Sequence, residues 1–122
     1  MRTILLIEDD DAIRGCLLQG LRTAGFDVIA VPTTTEALRE LDARRHFDLA
    51  LIDVKMPPGH PHGFAFGRMV RLEMQDLPLV FMSGEAGIAE ADIGVPLGPT
   101  LQKPVRINEL LGVLDAELFA QD

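Results

Sequence analysis

The chain has no tyrosine and no tryptophan, and aromatic residues make up only 5% of its 122 positions. Stacking of unpaired nucleic acid bases therefore has few platforms to rest on. Positive charge is scarce too: 11 Lys and Arg stand against 19 Asp and Glu, a formal net charge of -8, with no basic stripe to offset it. Such a surface repels a phosphate backbone, so direct nucleic acid binding is not expected. No apolar run approaches the roughly 18 residues that mark a membrane-spanning helix. The lone cysteine, Cys16, has no internal disulfide partner and is expected to be a small core residue on a helix. Met1-Arg2-Thr3 leads directly into a strand-like run and then acids, so no signal peptide is expected and the cytoplasm is the expected compartment.

What is present is a large apolar complement, 48% of the residues, in a length that suits one domain spanning 1–122. Ile4 to Ile7 is a continuous aliphatic run, the pattern of a strand buried on both faces. Ile13, Leu17, Leu21 and Ala24 recur at helical spacing from Asp11, and Gly25 follows as a stop. Phe26 to Val31 returns to strand composition. Thr33 and Glu36 form a capping box that opens a helix to about Arg44. Phe47 to Val54 and Leu77 to Met82 predict two further buried strands, with a Pro- and Gly-rich loop and a helix from Phe64 to Met74 between them. A short, weak helix is expected at Ile88 to Ile93 and a brief fifth strand at Thr100 to Gln102. Ile107, Leu110, Leu111, Leu114 and Leu118 mark an amphipathic last helix. Five strands alternating with five helices predict a doubly wound parallel α/β sheet with helices on both faces.

In such sheets ligands bind beyond the carboxyl ends of the strands. Those ends carry Glu8 and Asp9, then Asp53, Ser83 and Lys103. The run Glu8-Asp9-Asp10-Asp11 repels itself unless a cation is near. Asp10 and Asp11 fit an N-cap and first helical turn matched to the helix dipole. For the rest, oxygen ligands of this kind suit a hard divalent ion such as Mg²⁺, which takes one or two carboxylates plus a phosphate oxygen.

The stretches "ILLIEDDDAIR", "LALIDVKMP", "VFMSG" and "LQKPV", in this order, resemble the receiver domain of two-component response regulators along the whole chain. That resemblance implies a flavodoxin-like (βα)5 fold and transfer of a phosphoryl group from a histidine kinase or histidine phosphotransfer protein. It also implies roles. Asp53 would be the phosphoacceptor, and Asp9, Glu8 (through water), Asp53 and the Lys55 carbonyl would hold Mg²⁺. Ser83 would bond a phosphoryl oxygen, and Lys103 would pair with Asp53 and then with the phosphate. Donors would dock on Ile13, Arg14, Leu17 and Leu18 with the Pro104-Val105 loop, where exposed apolar side chains are expected. Lys103-Pro104 would be a cis bond in the family pattern, against a trans default for X-Pro bonds generally. A monomer or weak homodimer with no attached output domain is expected; a piece of a longer regulator or hybrid kinase is equally compatible.

Some positions depart from the family pattern. Thr100 stands where receivers carry an aromatic switch, and the loop between Pro57 and Gly63 is two residues longer than usual. Lys55 and Glu85 are candidates to pair across the site and slow hydrolysis. His46, His60 and His62 are expected to be surface residues. Two other functions remain open: an interaction module that is never phosphorylated, and a phosphatase using Asp9 and Asp11 as a D-x-D pair, against which Ile13 stands at the threonine position of that motif.

Overall fold

In the computed structural model the described residues are 1–43, 46–84 and 97–120. They form β1 (Thr3–Ile7), α1 (Asp11–Thr23), β2 (Asp27–Val31), α2 (Thr34–Asp42), β3 (Leu49–Asp53), α3 (Gly63–Glu73), β4 (Leu79–Ser83), β5 (Thr100–Gln102) and α4 (Ile107–Phe119). The strands make one sheet of order β2-β1-β3-β4-β5, all pairings parallel. The helix expected at Ile88 to Ile93 lies outside the described residues, as does Glu85 of the expected Lys55 pair. Among the described residues no helix is long and apolar enough to cross a membrane.

The aliphatic runs become strands because both of their faces are covered. Ile4, Leu6, Leu49, Leu51, Val80 and Met82 pack with Leu17 and Leu21 of α1 and Leu110, Leu114 and Leu118 of α4. Leu5, Ile7, Ala50, Ile52 and Phe81 pack on the opposite face with α2 and α3, through Ala37, Leu41, Phe64, Phe66 and Val70. Truncating one such leucine to alanine costs about 2–5 kcal/mol. Helix entry follows the expected caps: Asp10 Oδ1 accepts from Ile13 N at 3.0 Å, and Thr33 Oγ1 from Glu36 N at 3.2 Å. Gly25, at φ +100°, turns the chain from α1 into β2 in a conformation that L side chains rarely adopt.

Two expectations about α1 are overturned. Cys16 is exposed, not core, and Leu17, placed on the partner face by the family pattern, is buried. The cause is helical register: the Leu17-Leu21 stripe faces the sheet, and Cys16 lies one residue, about 100°, off it. The histidines also divide. His46 and His62 are exposed, whereas His60 is half-buried with its Nδ1 2.8 Å from Thr35 Oγ1. The neighbouring Thr34, fully buried, donates to the Pro61 carbonyl at 2.7 Å, so the enlarged loop is tied down on the start of α2.

Candidate functional site

At the carboxyl edge of the sheet, β1 and β3 are adjacent, and the residues that leave them meet. Carboxylate oxygens of Glu8, Asp9 and Asp53 lie within 4.8 Å of one another. Glu8 and Asp53 are buried, while Asp9 is exposed at the rim. Ser83, also buried, ends β4 directly after Met82, the register partner of Asp53. Its carbonyl accepts from Lys103 N at 2.8 Å, which fixes the start of the lysine loop, and the Lys103-Pro104 bond is cis. Lys55 follows β3 by two residues with an exposed side chain.

The ammonium of Lys103 lies 2.6 Å from Glu8 Oε1 and 3.3 Å from Asp53 Oδ1. The expected first partner of the lysine was Asp53; the shorter contact is with Glu8. Glu8 is fully buried, and the Lys103 ammonium is the cation within its reach. Its other oxygen, Oε2, accepts from Asp10 N at 3.2 Å.

Crowding sets the protonation chemistry. Burial, with the carboxylates of Glu8 and Asp9 beside it, pushes Asp53 up to about 8 despite the opposing charge of Lys103. Asp9 goes the other way: burial would raise it, but hydrogen bonds with Asp53, Glu8 and the main chain hold it below the usual carboxylate range. Lys103 is raised, since burial, which alone would lower it, is outweighed by Glu8 and Asp53. A site that protonates one of its own carboxylates carries an excess of negative charge. The all-oxygen donor set and that excess fit a hard divalent cation.

Backbone packing sets where Asp53 sits. Gly63 N donates to Val54 O at 2.7 Å, and a Cβ added at Gly63 would lie 2.6 Å from both Asp53 O and Val54 Cα. The first turn of α3 therefore rests on the main chain at the end of β3, and only glycine fits there. The sequence shows this glycine only as a loop punctuator. Its role emerges from the approach of two backbones.

Residues 4–115 match the family described as response regulator receiver domain. This chain belongs to that family. The receiver is 32% identical over 117 residues to Response regulator MprA of Mycobacterium leprae, covering 94% of this chain and 50% of that protein. It is 32% identical over 121 residues to Transcriptional regulatory protein GltR of Pseudomonas aeruginosa, covering 96% of this chain and 49% of that one. The chain thus spans about half the length of these curated relatives. Among solved structures, a response regulator receiver protein from Sinorhizobium medicae superposes with a TM-score of 0.90 at 29% identity, covering 99% of this chain and 97% of that chain. The fold is therefore flavodoxin-like, as in CheY-like receivers.

Beside the acidic cluster the receiver has a groove of about 410 Å³, lined by Ile13, Cys16 and Leu17 of α1 and by Lys103, Pro104 and Val105. Ile13 is 41% exposed there, and Leu18 is half-buried.

Proposed function

We propose that the receiver is a signalling switch that accepts a phosphoryl group on Asp53 from the phosphohistidine of a sensor histidine kinase or histidine phosphotransfer protein. The observation that carries this reading is the convergence of Glu8, Asp9 and Asp53 within 4.8 Å, with the Lys103 ammonium at 2.6 and 3.3 Å from Glu8 and Asp53. Asp9, Asp53 and the Lys55 carbonyl, with Glu8 through water, would hold Mg²⁺, which when bound neutralises the carboxylates and a phosphoryl oxygen. Phosphoryl transfer has a loose transition state with charge on the equatorial oxygens, so the protein's part is positioning and neutralisation. An Asp53 oxygen forms the new P–O bond as the P–N bond of the donor breaks, and the electron pair leaves with the imidazole. Lys103 has to exchange Glu8 for the incoming phosphoryl oxygens, and the Ser83 hydroxyl donates to another of them.

Ile13 and the Pro104-Val105 loop flank the groove next to this site, which supports donor docking there. Output is by protein contact or by relay of the phosphoryl group. The setting is cytoplasmic, and the receiver acts as a monomer or weak homodimer. Catalysis is confined to its own phosphorylation and dephosphorylation. The test is labelling by a small-molecule phosphodonor, with and without Mg²⁺. The reading requires acid-stable, base-labile incorporation that needs the metal and is absent from Asp53→Asn. A parent chain that stays unlabelled is instead the unphosphorylated interaction module, for which Thr100 at the switch position is the supporting feature.

A further inference from the structure

The acidic run contains its own fixed cation. Arg14, in the first turns of α1, donates from Nη1 to the main-chain carbonyl of Glu8 at 3.0 Å. From Nη2 it donates to Asp11 Oδ1 at 2.6 Å. Its backbone N–H donates to Asp10 O at 2.8 Å. One residue thus ties together the main chain of the first acid, the main chain of the third and the side chain of the fourth. Asp9 is carried between these anchors. The arginine side chain is only 22% exposed, although the Asp11 side chain it grips is 91% exposed, so the guanidinium lies folded back on the loop.

We propose that Arg14 is a positioning residue for the divalent cation site: it fixes the Glu8 carbonyl so that the Glu8 and Asp9 carboxylates face Asp53. The inference rests on the Mg²⁺-dependent reading above. Clamping one carbonyl and one carboxylate at once needs the planar fork of a guanidinium; an ammonium is a single point donor and cannot reproduce it. Groups that orient metal ligands without touching the metal commonly change affinity by about 10- to 100-fold when removed.

Electrostatics alone predicts the opposite sign, which makes the inference testable. Deleting a positive charge beside a cation site should tighten Mg²⁺ binding. Loss of positioning should weaken it. Mg²⁺ affinity of the full chain is measured by calorimetry without phosphodonor, together with thermal unfolding in chelator. Arg14→Ala is expected to weaken binding about tenfold with little change in unfolding temperature. Arg14→Lys, which keeps the charge and loses the fork, is expected to weaken it several-fold, and it decides the matter should the alanine variant unfold. Binding by Arg14→Ala as tight as the parent's or tighter, or Arg14→Lys indistinguishable from the parent, overturns the inference. A parent that takes up no Mg²⁺ at millimolar concentration overturns the reading of the whole site, and this inference with it; that outcome is seen in the parent and not in the variants.

Discussion

β3 has an aspartate at each end, and the two are treated in opposite ways. Asp48, just before the strand, accepts from Thr3 N at 2.8 Å and lies 3.1 Å from His46 Nε2. Burial would raise it, but those donors hold it below the ordinary carboxylate range. Asp53, at the far end, is given two more carboxylates as neighbours, and burial with that crowding drives it up to about 8. A carboxylate surrounded by donors fastens the chain; one surrounded by carboxylates depends on a cation or a proton. The second arrangement costs stability in the free protein and suits the phosphoacceptor role proposed for Asp53. The amino edge of the sheet is therefore built to hold, and the crowding at the carboxyl edge supports the reactive role proposed for it.

The most drastic way to break this contrast is chemical. Asp53→Asn removes the carboxylate proposed as the phosphoacceptor, and label uptake from a phosphodonor is expected to fall to background. Asp48→Asn, five residues away and of the same chemistry, is expected to label at the parent's rate. Equal labelling of the two variants would erase the distinction between the edges.

Next in size is the buried pair at the carboxyl edge. Lys103→Met leaves Glu8 charged, buried and without its ammonium, and removing one partner of a buried pair costs about 3–5 kcal/mol. Denaturant unfolding should show a loss of about 3 kcal/mol, the low end because the Lys103 side chain keeps 20% exposure. Adding Glu8→Gln should restore most of it, since the stranded charge is gone. A double variant no better than the single would mean that Lys103 stabilises by packing alone.

A smaller effect tests how the strand end is held. Gly63→Ala forces a Cβ against the Asp53 carbonyl and Val54 Cα, backbone atoms that cannot step aside. Overpacking of this kind costs about 1–3 kcal/mol. The expectation is about 2 kcal/mol of stability and slower labelling, because the main chain of Asp53 must shift.

The layout of the molecule was readable because each strand is buried on both faces and so stays apolar without interruption, and because caps such as Asp10 and Thr33 follow local rules. That Glu8, Asp9, Asp53 and Lys103 gather at one edge was readable from their places at the strand ends. Partnerships across the fold were not. Glu8 and Lys103 are 95 residues apart, and nothing local says that the lysine lies nearer Glu8 than Asp53. Arg14 offered a cation at helix-surface spacing, which fits a partner face as well as a clamp on the loop. Cys16 and Leu17 are adjacent, and the Leu17-Leu21 spacing already turns Leu17 to the sheet and Cys16 away from it, against the general tendency of a lone cysteine to be buried.

The finest test sets the two aspartates against each other by pH, in chelator. A carboxyl whose folded value is raised keeps its proton longer folded than unfolded. The stability it contributes is full below the unfolded value near 3.8 and is lost as pH rises toward about 8. Asp53→Asn carries no such charge, so its stability should match the parent's near pH 4 and exceed it increasingly up to pH 8, by about 1 kcal/mol or more. Asp48 is depressed, so its contribution is present above 3.8 and lost as pH falls below that. An asparagine there can still accept from Thr3 N but loses the charge that strengthens the bond. The cost should be about 0.5 kcal/mol at neutral pH, small because the Asp48 side chain remains 23% exposed, and it should vanish in acid. Two isosteric substitutions on one strand should then shift stability in opposite directions at pH 7. Shifts of the same sign would show that the two ends of β3 share one electrostatic environment.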